Sequence, residues 1–138
     1  MDPDIIAKSF FFTTESLEQL LGRHGAQAVL RSAGQRAAGS LIDMLPLSLA
    51  EQEAAQRSGE ILKELGFVSD MEFTPPGCLR IDGNRFQMEL ETLGLGSSGS
   101  GRYFVIGLFE GFFKQLSGSS RKVRAPRSDD GCEYWELG

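Results

Sequence analysis

The sequence predicts an α+β fold in which N-terminal helices and one later helix pack on an antiparallel sheet. Three observations predict it. Apolar residues recur at three- and four-residue spacing up to about residue 65, and at two-residue spacing after it. Clusters of Gly, Pro, Asp and Ser then separate short alternating segments. An aromatic helical stretch interrupts the strands near residue 102. With 138 residues, 41% of them hydrophobic, the chain is expected to form one domain over 1–138, with a core large enough to hold it together.

The first helical region, 14 to 45, divides in two. Glu15 to Leu21 sets Leu17, Leu20 and Leu21 on one face before Gly22 and Gly25 punctuate it. From Ala26 onward, Val29, Leu30, Ala33, Ala37, Leu41 and Met44 hold helical spacing until Pro46. Its middle, "SAGQRAAGS", is small-sided, and Gly34, Ala37 and Ala38 point to another helix or subunit at close range. A third helix is expected to open on Ser48 and Glu51, spaced as a capping box, and to close at Gly66.

The period then becomes two. "FVSDMEFT" alternates Phe67, Met71 and Phe73 with Asp70 and Glu72, and "RFQMELE" alternates Phe86, Met88 and Leu90 with Arg85, Gln87, Glu89 and Glu91. Leu79 and Ile81 between them precede Asp82-Gly83, a turn signal. The expectation is three antiparallel strands, one face wet and one apolar. "LGLGSSGSG" reads as a connector or lid; its glycines lack the Lys-Ser/Thr pair of a phosphate loop.

"RYFVIGLFEGFFKQLS" is the fourth expected helix, Arg102 to Ser117, ended by Gly118. Apolar side chains nearly encircle it, so it must be covered on most sides. Gly107 and Gly111 each cost about 0.8–1 kcal/mol relative to Ala inside a helix. They fit a close neighbour, either the small-sided second helix or a ligand. Glu110, the one acid in the helix, is expected to reach solvent at a seam or to lie buried with a partner such as Arg121 or Arg124. Finally "RKVRA" and "CEYWEL" flank the turn-rich "PRSDDG", which predicts a hairpin. The expected order is helix, helix, helix, three strands, helix, two strands.

Composition narrows function. Fourteen Lys and Arg against 19 Asp and Glu give a net charge of -5, which lacks the basic excess that holds a protein on nucleic acid. The apolar run from Tyr103 to Phe113 contains Glu110 and is far short of the about 20 residues a membrane helix needs. No secretion signal is evident at the start, so a cytoplasmic location is expected. Cys78 and Cys132 share no metal-ligand or disulfide spacing, so neither metal nor cofactor is expected. His24, the only histidine, sits in "GRHGA" away from any nucleophile pair, and the residues assemble no catalytic triad or metal motif.

The C-terminal stretch "FVIGLFEGFFKQLSGSSRKVRAPRSDDGCEYWELG" resembles the C-terminal part of the 4-vinyl-reductase-type domain, carried here by Gly107, Gly111, Gly118, Val123, Gly131, Cys132 and Tyr134. "RSAGQRAAGSLIDML" is similar to that family's second helix. The resemblance implies helices on an antiparallel sheet, related in fold to the TRAPP vesicle-tethering subunits. It also implies a homodimer and a small hydrophobic ligand of the lipid, hydrocarbon or tetrapyrrole class, as in sensor domains of bacterial regulators. A cysteine that many members carry before the glycine turn is absent, so a cysteine-pair metal site does not carry over. Cys132 itself is expected to be a small buried hydrophobe.

Three functions are weighed. The first is a non-catalytic binding module, with an apolar pocket between helix 102–117 and the sheet lined by Phe73, Met88, Phe109, Phe112, Phe113 and Trp135. The second is a homodimeric scaffold or assembly factor acting through protein contacts of its small-sided helix, without a ligand; Gly34, Gly107 and Gly111 are expected positions of close packing. An enzyme acting on a pigment is the third and has the fewest residues behind it. A sensor role would require a separate protein partner for output.

Overall fold

The chain's computed structural model describes residues 3–41, 48–94, 99–129 and 131–138. The fold is α+β, with helices packed against a four-stranded antiparallel sheet. Helix α1 (Pro3–Leu41) leads into α2 (Glu51–Glu64), strands β1 (Val68–Thr74) and β2 (Cys78–Asn84), helices α3 (Arg85–Thr92) and α4 (Arg102–Ser117), and strands β3 (Val123–Asp129) and β4 (Cys132–Leu137). Sheet order is β1-β2-β4-β3.

The two expected N-terminal helices are the two limbs of α1. Gly22, at φ 75 and ψ 174, breaks the helical backbone between them, a conformation a residue with a Cβ adopts only at a cost. The first limb starts at Pro3, well before Glu15. In the second limb the buried stripe is Ala26, Leu30, Gly34 and Ala38, while Val29 and Leu41 are exposed. Spacing of four selects that stripe because α4 lies directly against it. Met44 and Pro46 fall outside the described residues.

The expected capping box at Ser48 and Glu51 does not form. Ala50 occupies the cap position without a side-chain hydrogen bond, and the Leu49 N–H instead donates to the Leu116 carbonyl at 2.9 Å, tying the start of α2 to the end of α4. The other end meets expectation. Gly66 (φ 84) donates to the Lys63 carbonyl and Phe67 to the Leu62 carbonyl, a pair of bonds that closes the last turn of α2.

The third expected strand is helix α3, and this is the main correction to the element order. Phe86 and Leu90, four apart, share a face in either a strand or a helix. Met88 and Gln87 discriminate: Met88 is 48% exposed while Gln87 is buried. Asn84 starts the helix by accepting the Gln87 N–H on its side chain at 3.3 Å. The expected turn at Asp82-Gly83 is likewise displaced: β2 runs through both residues, and Pro75-Pro76-Gly77 makes the β1–β2 connection. In the last hairpin β3 continues to Asp129, and Pro126, with no N–H for the ladder, sits at a register shift between Arg124 and Arg127. Residues 95–98 of the expected connector lie outside the described residues.

The core fills the space between α4, α2 and one face of the sheet. Leu79, Ile81 and Trp135 project from the strands onto Phe109, Phe112, Phe113 and Leu116 of α4 and Ile61 and Leu62 of α2, all of them buried. Burying each large apolar side chain favours folding by roughly 1.5–3 kcal/mol. The opposite face of the sheet is polar, with Arg80 pairing to Glu72 at 3.2 Å and to Asp82 at 3.4 Å. Among the described residues, no helix is long and apolar enough to cross a membrane.

Candidate functional site at Glu133

Sequence reasoning singled out Glu110, and the structure makes it a structural brace. It lies on α4 with 4% of its surface exposed. Arg31 of α1, in place of the expected Arg121 or Arg124, grips both of its oxygens at 2.8 and 2.7 Å. The Gln35 amide and the Val123 backbone N–H add bonds of 3.0 and 2.9 Å. Arg31 also donates to the Val123 carbonyl, so one ion pair joins α1, α4 and β3. Bonding to Glu110 holds the Arg31 guanidinium even further above the range in which it would lose its proton. Arg121 pairs instead with Glu51 at 2.9 Å.

That brace sits where α1 and α4 cross at close range. A Cβ on Gly34 would overlap the Phe104 carbonyl, one on Gly107 the Arg31 carbonyl, and one on Gly111 the Ala38 side chain. Of the two neighbours the sequence left open for Gly107 and Gly111, the small-sided helix is the one in place.

The residues expected to line a pocket divide. Phe109, Phe112 and Phe113 are wholly buried and Trp135 is 1% exposed. Phe109 stacks on Phe113 at 6.4 Å between ring centroids and meets Trp135 edge-on at 5.7 Å. Phe73 packs against this cluster half-buried. These five form core, whereas Met88 leaves them and faces a cleft beside α3.

That cleft holds a carboxylate that sequence reasoning missed. Glu133 points to the inner, apolar side of the sheet, opposite Ile81 and two residues before Trp135, and is 7% exposed. Its Oε1 accepts from the Trp135 indole N–H at 3.1 Å and, at the limit of hydrogen-bonding distance, from the Asn84 amide at 3.5 Å. Its Oε2 faces Arg102 Nε at 3.8 Å, too far for a hydrogen bond, and that Nε is buried with no hydrogen-bond partner among the described residues. Burial pushes the Glu133 pKa above the ordinary carboxylate range, against the opposing pull of Trp135, Arg102 and Asn84. The cleft encloses about 340 Å³ and is bordered by Gln87, Met88, Glu91, Arg102 and Cys132. It therefore combines an apolar thioether with an acceptor and a donor that are under-used by the protein. The sequence did carry a signal: in "CEYWEL", Glu133 has the same strand parity as Trp135 and Leu137.

Across α3 from the cleft lies a second aromatic group that is only partly covered. Phe86 touches Phe10, Phe11 and Phe104, with centroids 5.4, 5.2 and 5.0 Å away, and Phe104 touches Phe67 at 6.4 Å. Phe10 remains 38% exposed and its neighbour Phe12 54%.

Cys132 is half-buried and is not simply a small hydrophobe, since its Sγ donates to Asp82 Oδ1 at 2.6 Å. Cys78 is exposed, and neither is in a disulfide. Among the described residues, no group of three or more His, Cys, Asp or Glu is placed to hold a metal ion. No family model matches the chain, and no curated protein matches it.

Proposed function

We propose that this chain is a non-catalytic binding module for a small hydrophobic ligand carrying one polar group, and that the ligand docks at α3. The observation that carries this reading is Glu133: a buried carboxylate with one oxygen unclaimed by a hydrogen bond, beside an arginine donor in a partly apolar cleft. A concave site with few convergent polar groups and a perturbed titratable residue is the expected form of a ligand site. The polar group of the ligand would bond Glu133 Oε2 or Arg102 Nε, and its apolar part would lie over Met88. Phe109, Phe112, Phe113 and Trp135 then serve as the rigid backing of the site. The resemblance to 4-vinyl-reductase-type domains favours a lipid, hydrocarbon or tetrapyrrole. Two cysteines outside any disulfide fit a reducing, cytoplasmic setting.

The chain's single tryptophan provides the test, because its indole N–H is bonded to Glu133. Titration with a panel of lipids and tetrapyrroles should change Trp135 fluorescence saturably, and native mass spectrometry should show a releasable adduct, both lost in Glu133→Gln. An apo mass together with fluorescence unmoved by the whole panel would refute the reading.

A second reading, homodimeric assembly through α1, is favoured by one observation. Leu20 is 81% exposed, Leu21 52% and Phe12 54% on the first limb of α1, and exposed apolar groups of this kind mark interaction surfaces. Sedimentation equilibrium of the wild type and Leu20→Glu decides it: a dimer that dissociates on substitution supports assembly, and a monomer at all concentrations excludes it.

A further inference from the structure

Away from α3, on the far side of the α1–α4 crossing, the structure assigns a second site: we propose that the groove between α1, the end of α4 and the start of β3 binds a small, multiply charged oxyanion such as a phosphomonoester. Two depressions of about 380 and 550 Å³ share Ser32, Gln35 and Lys122 and so form one groove. Among the described residues its lining carries Arg31, Arg36, Lys114, Arg121 and Lys122, five of the chain's 14 basic residues, and Glu110 as the only acid. A chain with net charge -5 has thus gathered positive charge in one concave place, where field lines are focused.

The groove's own acid does not neutralise it. Glu110 is saturated by Arg31, Gln35 and the Val123 N–H, and Arg121 is held by Glu51. Arg36, Lys114 and Lys122 remain exposed, and none makes an ion pair or side-chain hydrogen bond to another described residue. Ser32 and Ser120, exposed in the same lining, add hydroxyl donors, and the Gln35 amide, one N–H of which goes to Glu110, has a second N–H to offer. Gln115 Oε1, in the same lining, is buried without a partner among the described residues and can accept from a ligand hydroxyl. Several cations with neutral donors and one acceptor suit an oxyanion of two or more charges that also bears a hydroxyl.

The test is titration with inorganic pyrophosphate at fixed ionic strength, followed by amide chemical shifts. The wild type should saturate, with the largest shifts at residues 32–36, 114–115 and 120–122. Arg36→Gln/Lys114→Gln/Lys122→Gln should bind at least about tenfold more weakly, close to 1.4 kcal/mol. Arg57→Gln/Lys63→Gln/Arg85→Gln, which removes the same charge elsewhere, should bind as the wild type does. All six side chains are exposed or half-exposed, and thermal melts of both variants, expected to match the wild type, control for folding. The proposal is overturned by an absence of saturation, by equal weakening in the two variants, or by a response to phosphatidic acid vesicles with none to free pyrophosphate.

Discussion

Glu110 and Glu133 are both buried carboxylates beside an arginine, yet they occupy opposite kinds of site. Glu110 receives four hydrogen bonds through its two oxygens and locks three elements together. Glu133 has the Trp135 bond, a long contact to Asn84, and an arginine at 3.8 Å that does not close on it. A buried charge is informative about function only when its hydrogen-bonding capacity is left unspent; when it is filled, the charge is architecture.

Substitutions test that contrast, and the largest effect belongs to the filled site. Glu110→Ala should lower stability by roughly 3–5 kcal/mol in chemical denaturation, because it strands Arg31 and the Val123 N–H together. A neutral result would show that the brace carries no strength and collapse the distinction. Next comes Gly107→Ala. Its methyl group would meet the Arg31 backbone, so a loss of about 2 kcal/mol is expected even though alanine favours the helix by about 1.

Glu133→Gln should act in the other direction or hardly at all, within about 1 kcal/mol of wild type at neutral pH. The pH dependence sharpens this. Folding holds a proton on Glu133 above the ordinary value of 4.5, so the native state binds more protons than the unfolded chain between that value and the raised one. Stability contributed by this residue is therefore present below about pH 4.5 and declines as pH rises through the raised value. Subtracting the Glu133→Gln thermal-stability profile from that of the wild type should reveal that decline, and a flat difference would mean that burial does not perturb the group. The smallest effect is expected for Met88→Gln, under about 0.5 kcal/mol in stability, with ligand affinity as its readout.

The fold was legible where one period or one punctuating residue was decisive. Arg102–Ser117 and its closing Gly118 could be read directly, because a nearly all-round apolar stretch of that length has no other satisfactory state. Gly34, Gly107 and Gly111 announced a close crossing but not its partner, since a missing side chain says only that something is near. α3 was misread because Phe86 and Leu90 satisfy both periods, and the deciding cap at Asn84 is a local hydrogen bond, not a pattern. Glu133 was overlooked for a related reason. Its parity in β4 places it inward, but the acceptors and donors that make the site come from β2, α4 and β4, which only folding brings together. Glu110's partner was equally hidden, 79 positions away in α1.

That separation matters during synthesis. At about 5–20 residues per second, roughly 4 to 16 seconds pass between translation of Arg31 and of the carboxylate that will hold it. Throughout that interval the small-sided face of α1, the face that α4 later covers, has been made without its covering helix. The nascent chain must therefore carry an unfinished interface while most of the protein is translated, so its yield should respond to translation speed and chaperone supply more sharply than the stability of the finished fold would suggest.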